Sequence, residues 1–157
     1  MIMFVACSNH ETMPQTFDEL LLKVDSVAFD KYPDMGLYQV QTSLKKDSIL
    51  TDTVDFRQTK ILYKQDDLCL TITFDSNGVA NYQISKKALP NQEISSLSVN
   101  LKEALDSIYN SSIDKPIANF MLLRYDESEP YYIFNNRIWV SAETGEMFEV
   151  KTTREKF

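Results

Sequence analysis

The sequence predicts an α+β protein: two tandem αβββ units, with the helices packed on one face of an antiparallel sheet. Two segments carry a capping-box signature followed by apolar residues at helical spacing, opening at Thr16 with Glu19 and at Asn100 with Glu103. After each, runs rich in aromatic and branched residues suit a pleated surface with one buried side. Each run contains a glycine turn, at Gly78 and at Gly145. The helix openings match at an offset of 84 (100 minus 16) and the turns at 67 (145 minus 78). The 17-residue difference fits a longer connection in the first half, so the chain reads as one unit diverged in tandem.

Residues 1–15 read as a truncated lipoprotein signal remnant and polar tether. Met1 to Ala6 is an apolar run ending in Val5-Ala6-Cys7, which resembles the lipobox of bacterial lipoproteins, whose cysteine is lipidated. Cys7 is therefore the expected lipidation residue. Phe4 stands where leucine is usual and no basic n-region precedes it, so the expected true start lies upstream. The alternative is an N-terminal strand around an ordinary cysteine. No other stretch approaches the ~18 apolar residues of a spanning helix.

The first unit is expected over 16–86. Phe17, Leu20, Leu21 and Val24 form the apolar face of its helix, which Pro33 ends, with Gly36 as a C-terminal cap. Leu37–Leu44 is a strand candidate, and Lys45–Thr59 reads as a polar loop or irregular hairpin. Lys60–Lys64 and Leu68–Asp75 follow as strands. In the second, Leu70, Ile72 and Phe74 alternate with Cys69, Thr71 and Thr73, burying one side. Asp75-Ser76-Asn77-Gly78 is a hairpin turn, and Val79–Ile84 returns. Residues 87–98 are a linker.

The second unit is expected over 99–157, ending in a basic tail. Leu101, Ala104, Leu105 and Ile108 build its helical face, and FMLLRY, YYIF, RIWVSA and MFEV follow as strand texture. "NLKEALDSIY" and "YYIFNNRIWVSAETGEMFEV" together look like a PepSY-type unit, with Val140, Ala142, Thr144, Gly145 and Glu146 in its terminal turn. Tandem units behind a lipobox-like segment resemble the PepSY-like, beta-lactamase-inhibitor-like small secreted proteins of Bacteroides-type bacteria. The resemblance covers most of residues 14–153 and is strongest over 99–150. It implies an extracytoplasmic binding or inhibitory module whose sheet face away from the helices is open to a partner. The first half departs from it by its long connection and by lacking the T-G-E turn.

Composition narrows the function. With 43% hydrophobic and 11% aromatic residues the chain can bury a core, and its net charge of −7 argues against binding a phosphate backbone. Two cysteines make no disulfide framework, and the only histidine, His10, lies beside the N-terminal segment. Histidine-based triads and multi-histidine metal sites have nowhere else to form. Asp126, Glu127 and Glu129 could hold calcium or do acid–base work, but consecutive acids before Pro130 read more simply as a solvated turn. Asp47, Asp52 and Asp55 lack EF-hand spacing.

The densest aromatic cluster is Tyr125, Tyr131, Tyr132, Phe134, Arg137 and Trp139. Tyr, Trp and Arg anchor interfaces because they bury much area with few rotors. Tyr132, Arg137 and Trp139 are the expected partner-binding residues, with Trp139 beside Arg137 on the open face; core packing of Trp139 is the alternative. The expectation is thus a non-enzymatic, extracytoplasmic lipoprotein of the cell envelope, anchored to the membrane by lipid only, without metal or cofactor. It would bind a protein or peptide and not nucleic acid, in one form inhibiting a secreted hydrolase. The alternative function is a structural accessory of envelope assembly, recruiting a strand to an exposed edge.

Overall fold

A computed structural model describes residues 16–45, 52–113 and 116–150. They form helices α1 (Phe17–Lys31) and α2 (Leu101–Tyr109) and nine strands. The strands are β1 (Gly36–Leu44), β2 (Val54–Gln65), β3 (Leu68–Phe74), β4 (Ala80–Lys86), β5 (Asn91–Gln92), β6 (Asn119–Tyr125), β7 (Pro130–Phe134), β8 (Ile138–Ser141) and β9 (Met147–Glu149). All belong to one sheet, in the order β4-β3-β2-β1-β6-β7-β8-β9, with β5 also on β6. Every pairing is antiparallel. The α+β class stands.

Both helices open on reciprocal caps. The Thr16 hydroxyl accepts from the Glu19 N–H at 3.3 Å, and the Glu19 carboxylate accepts from the Thr16 N–H at 3.3 Å. At α2 the corresponding distances are 2.9 Å for the Asn100 side chain and 2.8 Å for the Glu103 carboxylate. α1 ends before Gly36, which opens β1 and caps nothing. Pro33 disfavours the helical region at Tyr32, and the Tyr32 N–H closes the helix on Ala28 O at 2.7 Å.

α1 is followed by five strands and α2 by four, more than an αβββ unit holds: the run beyond each glycine turn folds back as a strand of its own, β4 or β9, and β5 comes from the linker. The expected loop at Lys45–Thr59 is also mostly strand from Val54 onward, while 46–51 fall outside the described residues. Val54 and Phe56 are buried, and the buried Thr59 hydroxyl meets that of Thr42 on β1. The linker contributes β5, whose Asn91 and Gln92 pair with Tyr125 and Arg124.

Register shows which side the helices cover. Val40 pairs with Ile61 and Leu122, Ile61 with Ile72, Leu122 with Tyr132, and Tyr132 with Val140. Directly paired residues share a sheet face. All six lie in one core with Phe17, Leu20 and Val24 of α1 and Leu101, Leu105 and Ile108 of α2. Phe17 packs edge-on against Phe120 at 5.2 Å and Tyr132 at 6.3 Å between centroids, so the first helix is seated on strands of the second half. The opposite face carries no helix among the described residues.

Candidate interaction face

The open face of the second half is shaped by the turn joining β7 to β8. Asn135 and Asn136 both take positive φ, 50° and 55°, which asparagine tolerates better than most residues. Asn135 is held from both sides: its side chain accepts from the Ala118 N–H and donates to Pro116 O, each at 3.0 Å. The Arg137 N–H closes the turn on Phe134 O at 2.9 Å, and pairing resumes with Phe134 opposite Ile138. Arg137 is therefore an extra residue, a bulge that advances the register by one.

That single residue decides the site. With Phe134 opposite Arg137, Tyr132 would have faced Trp139. With the bulge, Trp139 stands opposite Ile133 and Ser141 opposite Tyr131. Tyr132, opposite Leu122 of β6, faces the helices and is fully buried, with its hydroxyl donating to Val99 O at 2.9 Å, so the bulge is what sends Trp139 to the other side. Burial, with Asp18 and Glu103 nearby, raises its phenol pKa. The placement of Tyr132 among the partner-binding residues is corrected accordingly: it is a core residue, and Tyr131 takes its place on the open face.

Four rings from four strands meet there. Trp139 stacks on Tyr125 at 5.8 Å and on Phe148 at 5.6 Å, and Tyr131 lies tilted against it at 5.5 Å. Tyr131 also meets Phe148 edge-on at 5.7 Å. Trp139 and Tyr131 are half-buried, whereas Tyr125 and Phe148 are 41% and 46% exposed. Ile133, opposite Trp139, is buried on this side with no helix of the described residues above it. Arg137 sits at the rim, its guanidinium paired with the Glu149 carboxylate of β9. Phe148 is the member that sequence reasoning missed; its pairing with Trp139 across β8 and β9 is the signal that places it.

Beside the rings lies a polar network. The Glu129 carboxylate accepts from the Tyr131 hydroxyl at 2.8 Å and from the Ser141 hydroxyl at 2.6 Å. That hydrogen bond, with partial burial, raises the Tyr131 phenol pKa. Ser141 Oγ accepts in turn from the backbone N–H of Glu143 at 3.2 Å and of Thr144 at 2.9 Å. One donor and two acceptor positions are all a hydroxyl has, so Ser141 is committed to holding the Gly145 turn. Asp126 and Glu127 are exposed in the turn after β6. Among the described residues no three His, Cys, Asp or Glu side chains gather to hold a metal ion, and no helix is long and apolar enough to cross a membrane. Cys7, His10 and the basic tail from Lys151 lie outside the described residues.

No protein-family model matches the chain, and no curated protein matches it. A solved structure described as a "putative lipoprotein" from Clostridium difficile 630 has a similar fold, with a TM-score of 0.54 at 10% identity over 83% of this chain and 90% of that one.

Proposed function

We propose that this chain is a non-enzymatic, extracytoplasmic lipoprotein of the cell envelope, anchored through Cys7, that binds a protein or peptide on the open face of its second half. The observation that carries the binding reading is the cluster of Tyr125, Tyr131, Trp139 and Phe148 rings on a sheet face that no helix covers among the described residues. Such rings bring large contact area at small entropic cost, and Arg137 adds a charged donor at their rim. In its most specific form, the partner is a secreted hydrolase that the module inhibits. The lipoprotein description of the similar solved structure supports the anchor. A sheet order that runs outward as the same meander from β1 and from β6 supports reading the halves as diverged PepSY-like repeats. A second reading, an accessory of envelope assembly acting by strand addition, is favoured by the exposed strand β4 at the sheet's edge.

The test uses envelope extract and the full chain. Phe148→Ala and Trp139→Ala are each expected to weaken capture of the envelope partner by about tenfold or more, the scale of an interface anchor, with unchanged far-UV circular dichroism. Capture that survives both substitutions overturns the aromatic-face reading. Separately, the precursor is expected in the detergent phase and its Cys7→Ser variant in the aqueous phase; a variant that stays with detergent overturns the anchor.

A further inference from the structure

We propose that β4 is a self-pairing edge: two copies of this chain join antiparallel through it, in a register centred on Tyr82, to make one continuous sheet. This stands apart from the aromatic face and does not depend on it.

The two edges of the sheet differ. β9 is three residues long, whereas β4 has seven and, among the described residues, pairs on one side only, with β3. Natural edges are blunted by charge, proline or a bulge. From Val79 to Ser85 the chain has no charge and no proline, and the β3–β4 register runs from Leu68–Lys86 to Phe74–Ala80 without a shift.

The backbone pattern fixes which groups the edge offers. The Asp75 N–H donates to Val79 O at 3.0 Å at one end of the hairpin, and the Lys87 N–H donates to Asp67 O at 3.3 Å at the other. Both ends therefore direct odd-numbered residues of the returning strand toward β3. Alternation in an antiparallel ladder then leaves the N–H and C=O of Ala80, Tyr82 and Ile84 directed outward. Antiparallel self-pairing through those groups sets Tyr82 opposite itself and Ala80 opposite Ile84 of the second copy. Each is a pair that exchanges both hydrogen bonds.

Side chains agree with that register. Ala80, Tyr82 and Ile84 pair with Phe74, Ile72 and Leu70, which places them on the helix side. Tyr82 and Ile84 are nevertheless 38% and 43% exposed. In the self-paired register a small apolar residue faces a large one, Asn81 faces Gln83 of the second copy, and Lys86 falls opposite Gly78. No like charges stand directly opposed along the strand itself, and the cation beside the axis is Lys31 of α1, whose ammonium lies over its own copy's Tyr82 ring at 4.7 Å from the centroid. A one-residue slip would set outward-directed groups against inward-directed ones. The two-residue slip centred on Gln83 keeps the bonding but replaces the Tyr82 self-pair with Tyr82–Ile84 and sets Lys86 against Ala80, and the cysteine variants below separate the two. The resulting twofold axis is perpendicular to the sheet, and both copies present their aromatic faces on the same side.

The experiment uses the full chain carrying Cys7→Ser. Sedimentation is expected to show a dimer, and Ile84→Pro is expected to weaken it at least tenfold with unchanged circular dichroism, because the Ile84 N–H serves no bond to β3. Should the proline disturb the fold, Tyr82→Lys reads the same contact by setting two ammonium groups face to face. Tyr82→Cys is expected to form a disulfide-linked dimer on mild oxidation, since such paired Cα atoms lie about 5.5 Å apart. Gln83→Cys, opposite Asn81 of the second copy, is not. A chain that sediments as a monomer up to its solubility limit overturns the proposal and leaves the edge to a foreign strand. So does a dimer that persists in natively folded Ile84→Pro or Tyr82→Lys, or a Tyr82→Cys variant that does not cross-link.

Discussion

Asp18 lies in the first turn of α1, where the partial positive charge of a helix start ordinarily favours a carboxylate. Here its pKa is raised from 3.8, by partial burial first and then by Asp52 and Glu103. A carboxyl whose folded value lies above its unfolded value contributes stability that is fully present below the unfolded value. That contribution is lost as pH rises through the folded one. Asp18→Asn is therefore expected to raise the melting midpoint at pH 7, with the gain vanishing below about pH 3.8. A neutral-pH midpoint at or below that of the parent protein would refute it. Burial likewise raises Asp25 against the opposing hydrogen bond from Tyr63, and raises the Tyr63 phenol. At this scale two of the three glycines were legible, since Gly78 and Gly145 take φ of 77° and 75° in the turns assigned to them, whereas Gly36 opens a strand instead of capping α1. The side of Tyr132 was not, because its pairing with Leu122 sets it, and the bulged residue between it and Trp139 puts the two on opposite faces.

The helices show how much an element owes to its ends. α2 has nine residues, too few to persist alone in water, and it holds through its cap and its buried face. Asn100→Ala removes the acceptor for the Glu103 N–H and is expected to lower unfolding stability by about 1 kcal/mol. An unchanged urea midpoint would show that water replaces the cap at no cost. Both helix starts were legible because a capping box is local, written within four consecutive residues. The start of β2 was not. Val54 and Phe56 alternate among polar neighbours over too short a run to be told from a loop. Its polar Thr59 is buried because Thr42, seventeen residues earlier, supplies a hydroxyl partner.

The two halves fold onto one sheet, and β1 against β6 is the seam. Around it Phe17, Phe120, Tyr132 and Phe134 form a connected ring cluster, joining α1 to strands more than a hundred residues away. Phe120→Ala is expected to cost about 3–5 kcal/mol, the range for emptying a buried aromatic site. Unfolding of the parent protein is expected to be a single transition by fluorescence and circular dichroism alike. Two separated midpoints would mean that each half carries its own core. Caps, glycine turns and strand alternation are codes between near neighbours in the chain, so the α+β class, both helices and most strands could be read from residues alone. Joining β1 to β6, turning Tyr132 inward and assembling four rings around Trp139 depend on pairings between distant segments. No local pattern specifies those pairings, because their energy arises only when the strands meet.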